Sequence, residues 1–206
     1  MAGAIRPHEV RVSGQKREMK NQLRQQLRER LETISASQRE KFSEQVYARL
    51  QKQSAWQEAK SVLFFAPHSS EPDIWPLISA ALAQKKIVTF PKFVAGKNSY
   101  IACRIENSDR DFQRGQFGIR EPNAASVEIP LNCLDLALVP GIGFDLMGRR
   151  LGRGKGFYDR LLAQIPGTKC GVCFDEQIVE TIPTEPHDVR LNYILTPTRW
   201  HEVKPA

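Results

Sequence analysis

No run of about 18 apolar residues occurs anywhere in the 206-residue chain, so nothing in it reads as a membrane-spanning helix. Met1 to Gly14 lack the apolar stretch of a secretory signal, and Glu9 with no amphipathic stripe argues against an organelle transit peptide, which leaves a cytoplasmic protein without a membrane partner as the expectation. Cysteine is scarce: there are four, and only Cys170 and Cys173 stand as a CxxC pair. No second pair or nearby histidine completes a zinc set, and 168–174 reads as a short strand in which residues three apart point to opposite faces. Reduced core or near-core thiols are therefore expected. Both common phosphate-loop patterns are missing too. GxxxxGK[ST] does not occur, and Gly152-Arg153-Gly154-Lys155-Gly156 is not GxGxxG.

Acidic charge is also in deficit, with a formal net charge of +7. Residues 1–60 hold thirteen Lys and Arg against seven Asp and Glu, so the excess sits on the N-terminal helices. It is not interleaved with aromatics, as a stacking surface for single-stranded nucleic acid would be, and a solvated helix face accounts for it. No specific nucleic-acid partner is expected.

What remains is a composition suited to one globular domain over residues 15–206, 41% hydrophobic and 26% charged, behind a flexible lead at 1–14. From Gln15 to Thr33, Met19, Leu23, Leu27, Leu31 and Ile34 recur every three or four residues and predict an amphipathic helix with its leucines inward. Lys16, Arg17, Lys20 and Arg24 crowd its first turns, where cations oppose the helix macrodipole. Ser37 and Glu40 predict a capping box for a second helix reaching about Gln53. Strand 61–66, helix 74–84 and strand 87–90 follow at βαβ spacing, with Asp73 expected to cap the helix. A strand at 100–105, a turn at 107–111, a stop at 117–122, a central strand at 134–139, a helix from Phe157, a strand at 169–174 and a helix-like 176–180 complete the alternation. Such steps argue for a mostly parallel sheet between helices.

The densest chemistry lies in Val139 to Arg160. Gly148, Gly152, Gly154 and Gly156 allow close approach of backbone to a ligand, and Asp145, Arg149, Arg150, Arg153, Lys155 and Asp159 surround them. Placed between a strand's carboxyl end and a helix N-terminus, this set favours an oxyanion such as a polyphosphate. A basic, flexible connection is the plainer account of the same residues.

Phe144 to Arg160 closely resembles the signature of the 5-formyltetrahydrofolate cyclo-ligase (methenyltetrahydrofolate synthetase) family. The resemblance implies a single-domain Rossmann-like α/β sandwich with a basic N-terminal helix. It also implies a ligase that uses ATP and Mg²⁺ to close 5-formyltetrahydrofolate into 5,10-methenyltetrahydrofolate; separately, a monomer is expected. The resemblance assigns ATP contacts to Lys16, Lys20, Arg150, Leu151, Gly152, Arg153, Gly154, Lys155, Gly156, Phe157 and Tyr158. Folate contacts fall to Glu71, Arg153, Gly154, Lys155, Gly156 and Phe157, catalysis to Arg153 and Lys155, and the metal to Asp159 and Asp188. Lys20 stands where the family frequently has Arg, and Asn192 where it often has a further acid. Core packing is an equally ordinary use of Phe157 or Tyr158, and His68 carries no assignment. Two alternatives stand beside this reading: a sugar-phosphate isomerase or CoA-transferase type of α/β enzyme, and a non-enzymatic nucleotide- or RNA-binding module. The first lacks the glycine signature, and the second leaves Glu71, Asp159 and Asp188 without a purpose.

Overall fold

A computed structural model of the chain describes residues 7–115 and 118–204. The first helix, α1 (Pro7–Glu32), is longer than the leucine spacing predicts. It takes in residues 7–14, expected as part of a flexible lead, while 1–6 lie outside the described residues. Pro7 stands at the first helical position, where its missing N–H removes no helix bond. The cations at 16–24 consequently sit inside the helix, beyond the turn over which a macrodipole acts. Met19 is 55% exposed, so the apolar stripe turns inward only from Leu23. The second helix, α2 (Ala36–Leu50), is capped by Ser35 with Gln38, not by Ser37 with Glu40. Both pairs have the required spacing, and the earlier one closes the turn directly after the buried Ile34.

After α3 (Ser54–Gln57) come β1 (Ser61–Leu63), α4 (Trp75–Ala83), β2 (Ile87–Val94) and β3 (Ser99–Ile105). Asp73 was expected to cap α4, but the cap position is Ile74, which makes no side-chain cap bond; Asp73 stands one residue earlier and accepts the Trp75 N–H at 2.9 Å. A hairpin of β4 (Phe112–Arg114) and β5 (Arg120–Pro122) precedes β6 (Glu128–Ile129); Phe117, where the stop was expected to begin, lies outside the described residues. Then follow β7 (Leu136–Val139), β8 (Gly143–Asp145), β9 (Arg150–Leu151), α5 (Phe157–Leu162), β10 (Thr168–Val172), β11 (Ile178–Val179), β12 (Tyr193–Leu195) and β13 (Trp200–Glu202). Residues 175–177 make a single 3-10 turn before β11, where the sequence pattern suggested a helix to 180.

The main sheet has the order β13-β12-β10-β7-β1-β2-β3-β6. Its middle strands, β12, β10, β7, β1 and β2, are parallel, and β13, β3 and β6 add antiparallel edges. Alternate residues of a strand feed different cores, which is why β7 is buried throughout. Leu136 and Leu138 pack with α2, α3 and α4 on one side, whereas Ala137 and Val139 pack with Leu161 and Leu162 of α5 on the other. Cys170 and Cys173 divide in the same way, and both thiols are free. The fold is thus a mixed α/β sandwich. Among the described residues no helix is long and apolar enough to cross a membrane.

Two features of this order position the site. The chain runs from β1 outward to β2 and then returns to the other flank of β1 to lay down β7, so the winding reverses between β1 and β7. A crevice opens outside the carboxyl ends of strands at such a point. Across it lies α1, whose Leu27 packs on Ile142 and Leu151, and whose Leu31 packs with Phe174.

Candidate active site

The crevice is a cavity of about 920 Å³, and five pieces of chain supply most of its wall. Phe65 to Glu71 follow β1, Pro140 and Gly141 follow β7, and Arg150 to Asp159 run from β9 into α5. Lys20 and Arg24 descend from α1, and Glu185 to Asp188 close the remaining side. The expected loop between the central strand and α5 contains a small hairpin, β8–β9, flanked by β11. Asp145 builds its turn. This fully buried carboxylate accepts the N–H groups of Met147 and Arg149 at 3.0 Å each and that of Ile182 at 2.9 Å. It organises the loop and does not face the cavity. Beyond the hairpin, Gly154 (φ 96°) and Gly156 (φ 64°) take the left-handed turn that brings the chain into α5.

Three cations pair with carboxylates across the cavity wall. Arg153 Nη2 donates to Glu71 Oε1 at 3.0 Å, and the other Glu71 oxygen accepts the His68 N–H at 2.9 Å. Arg150, with only 4% of its side chain exposed, donates to Asp159 Oδ1 at 2.9 Å and lies 5.6 Å from the centre of the Tyr158 ring. Lys20 Nζ reaches Asp188 Oδ2 at 2.9 Å and Glu185 Oε2 at 3.7 Å. Arg24 ties α1 to the glycine loop, its Nε–H donating to the Gly152 carbonyl at 2.9 Å.

The charges of these groups follow from their surroundings. Burial alone would raise the Asp188 pKa, but the Glu185 N–H, the Lys20 ammonium and His187 together hold it below the ordinary value. Burial and the neighbouring Arg153 lower His68, with Glu71 opposing, so this imidazole favours its neutral form. The Tyr158 phenol is pushed well above 10 by burial first, then by Tyr100 and Glu71. It stays protonated, as does Tyr100, which is raised to about 12 by burial and Glu121.

Nearly every residue singled out in the sequence borders this one cavity. Glu71, Lys20, Arg150 through Asp159 and Asp188 all line it. Lys16 does not: it sits one turn away on α1, donating to the Thr184 carbonyl at 3.1 Å. Asn192 is likewise outside, where its side chain accepts the Lys169 N–H at 2.8 Å beside the β10–β12 pairing. The nearby acid is Glu185, whose ligand atom lies within 4.8 Å of those of His187 and Asp188. Phe157 packs edge-on against Tyr100 and tilted against Phe93, which gives it a packing role as well as a place on the wall.

Sequence reasoning gave no site role to Arg17, Arg24, Arg28, Arg120, Tyr100 and His68, which line the same cavity. For the α1 set a signal existed: Arg17, Lys20, Arg24 and Arg28 recur at helical spacing on one face. Nothing local marks Tyr100 or Arg120.

A family model described as the 5-formyltetrahydrofolate cyclo-ligase family matches residues 16–197. The chain is similar to the 5-formyltetrahydrofolate cyclo-ligase of Haemophilus influenzae, at 32% identity over 86% of this chain and 99% of that one. It is also similar to the mouse enzyme of the same name, at 28% identity over 85% and 92%. Among solved structures it resembles the 5,10-methenyltetrahydrofolate synthetase of Aquifex aeolicus, with a TM-score of 0.81 and 32% identity over 91% of this chain and 94% of that one.

Proposed function

Since the chain belongs to the 5-formyltetrahydrofolate cyclo-ligase family, we propose that the cavity at the β1–β7 crevice joins ATP to 5-formyltetrahydrofolate and closes the folate to its 5,10-methenyl form. One observation carries this reading. A buried carboxylate, a cationic glycine loop and two further carboxylates, drawn from positions 71 to 188, converge on a single cavity.

In the proposed reaction the γ-phosphoryl group leaves ADP and bonds to the formyl oxygen, turning a poor leaving group into phosphate. The N10 lone pair then attacks the formyl carbon, N10 gives up its proton, the carbon–oxygen bond breaks, and the oxygen departs with phosphate. Positioning and charge neutralisation supply most of the rate in such chemistry. Glu71 accepts hydrogen bonds from the amino-pyrimidinone edge of the pterin, a task suited to an acceptor-only group. Arg153 and Lys155 neutralise the transferred phosphoryl group, while Lys20, Arg150 and the backbone of 151–158 hold the nucleotide. Phe157 and the protonated Tyr158 form the wall against the flat ligand. Lys16 anchors the 184–188 segment that carries Asp188.

A divalent cation fits the residues present. One oxygen of Asp159 is engaged by Arg150; on Asp188, Oδ2 takes Lys20 and the Glu185 N–H while Oδ1 lies 3.7 Å from His187 Nε2, so each carboxylate keeps one hard oxygen to offer a cation. Mg²⁺ requires only one or two carboxylates when phosphate oxygens and water complete its shell. Bound there, it would offset the charge of the nucleotide oxygens. Folate and ATP as the ligands, a monomeric chain and a cytoplasmic location complete the proposal.

Purified protein mixed with 5-formyltetrahydrofolate, ATP and Mg²⁺ should develop the methenyl chromophore, and omission of any one component should abolish it. Product formed at an equal rate without ATP, or none from folded protein, would refute the reading.

A further inference from the structure

The proposed function gives Glu71 and Arg153 separate duties, one toward the pterin and one toward the phosphoryl group, and the inference below rests on that reading. In the structure the two residues are bound to each other at 3.0 Å. They are not equivalent partners. The Glu71 side chain is 4% exposed and is held by the His68 N–H, whereas that of Arg153 is 46% exposed and stands in a glycine loop. The carboxylate is therefore the fixed member and the guanidinium the mobile one.

A desolvated carboxylate needs a donor, and leaving it without one is unfavourable. While no pterin is bound, Arg153 fills that place. An amino-pyrimidinone edge brings its own donors, satisfies the carboxylate and releases the guanidinium. Arg153 engaged on Glu71 also has its charge largely offset, so it contributes little to a transition state that gains charge on phosphoryl oxygens.

We propose that Glu71 determines which acceptor receives the phosphoryl group: it withholds Arg153 until a pterin displaces it, and so keeps water from serving in place of the formyl oxygen. The suppressed reaction is hydrolysis, in which the bond from the γ-phosphorus to ADP breaks, a bond to water oxygen forms and a proton is released. By linkage, a folate that frees Arg153 strengthens nucleotide binding by the factor with which the nucleotide strengthens folate binding.

Calorimetric titration of the full chain with a non-hydrolysable ATP analogue and Mg²⁺, with and without 5-formyltetrahydrofolate, reads this coupling. The analogue should bind about tenfold tighter when the folate is present, within the usual range for coupled sites. Glu71→Gln should bind the analogue about tenfold tighter than wild type without folate, and should hydrolyse ATP in the absence of folate. Removing any carboxylate beside an anion site also strengthens binding through the general field, so Glu71→Gln is repeated in an Arg153→Gln background. There the gain should vanish; a gain that persists assigns the effect to the field and overturns the proposal. Wild-type affinity that changes less than about twofold on adding folate overturns it as well, and that measurement decides the matter if Glu71→Gln does not fold. A wild type that forms methenyl product yet shows no coupling sinks this inference alone, whereas a wild type that forms no product sinks the reading beneath it.

Discussion

Arg150→Met removes a guanidinium that is almost wholly enclosed and strands the carboxylate of Asp159. For a fully buried pair, loss of one partner costs about 3–5 kcal/mol, because the remaining charge is uncompensated. Asp159 keeps 16% of its side chain exposed at the edge of an open cavity, so water relieves part of that penalty. About 2–3 kcal/mol remains, which includes the weaker contacts of Arg150 with the Pro140 carbonyl and the Tyr158 ring. In a chain of this size each kcal/mol lowers the melting midpoint by about 2–4 °C, giving a fall of about 4–12 °C. Arg150→Met combined with Asp159→Asn leaves no charge to strand and should recover at least half of the loss. Turnover should not return, because the carboxylate proposed for the cation is gone. Melting curves and product assays on wild type, both single variants and the double variant test this. A single Arg150→Met within about 1 °C of wild type, or a double variant melting as low as that single, would refute the pairing as a source of stability.

Lys155→Met should lower kcat by about 100- to 1000-fold with little change in melting, the scale of one lost charged donor at a site of developing charge; an enzyme within about threefold of wild type would remove Lys155 from catalysis. Gly154→Ala should lower both kcat and the melting midpoint, since an alanine at φ 96° is strained by about 1–2 kcal/mol; an unchanged melting curve would contradict the left-handed turn. His68, its pKa below the usual 6.5 through burial and Arg153, should make stability pH-dependent. Below 6.5 the unfolded chain binds the proton more readily, so the stabilisation present above 6.5 is lost as pH falls through that window toward the folded pKa. Melting midpoints measured from neutral pH to about pH 5 should slope less for His68→Gln than for wild type, and identical slopes would exclude this contribution.

The elements with long apolar periodicity were readable in the sequence, whereas those resting on two or three residues were not. The central strand and the start of α5 at Phe157 were legible, because full burial demands an apolar run and Gly156 marks a break, although β7 begins at Leu136, two residues later than the run from Leu134 suggested. The β8–β9 hairpin was hidden, since its strands span three and two residues and the carboxylate that shapes its turn, Asp145, looks from sequence like one more loop charge. Two serines at 35 and 37, each followed three residues later by Gln or Glu, offered equal caps, and only the packing of Ile34 distinguishes them. The residues around the cavity were legible as a set because glycines and charges cluster between 148 and 159. Their pairing was not, since spacing along the chain says nothing of Arg153 meeting Glu71, 82 positions away.

The contact between Lys20 and Asp188 closes a loop of 168 positions, and that distance has a consequence for how the molecule is made. At about 5–20 residues per second of synthesis, α1 emerges on the order of ten seconds or more before the segment that meets it. During that interval its leucines and its row of cations have no cavity to border. Contacts of such separation form late, because a large loop entropy must be overcome first. A growing chain that has acquired β1, β7 and the glycine loop therefore still lacks a complete site. The site proposed for nucleotide and folate is incomplete until residues 185–188 have been added and folded into place, and a chain interrupted before them should be inert.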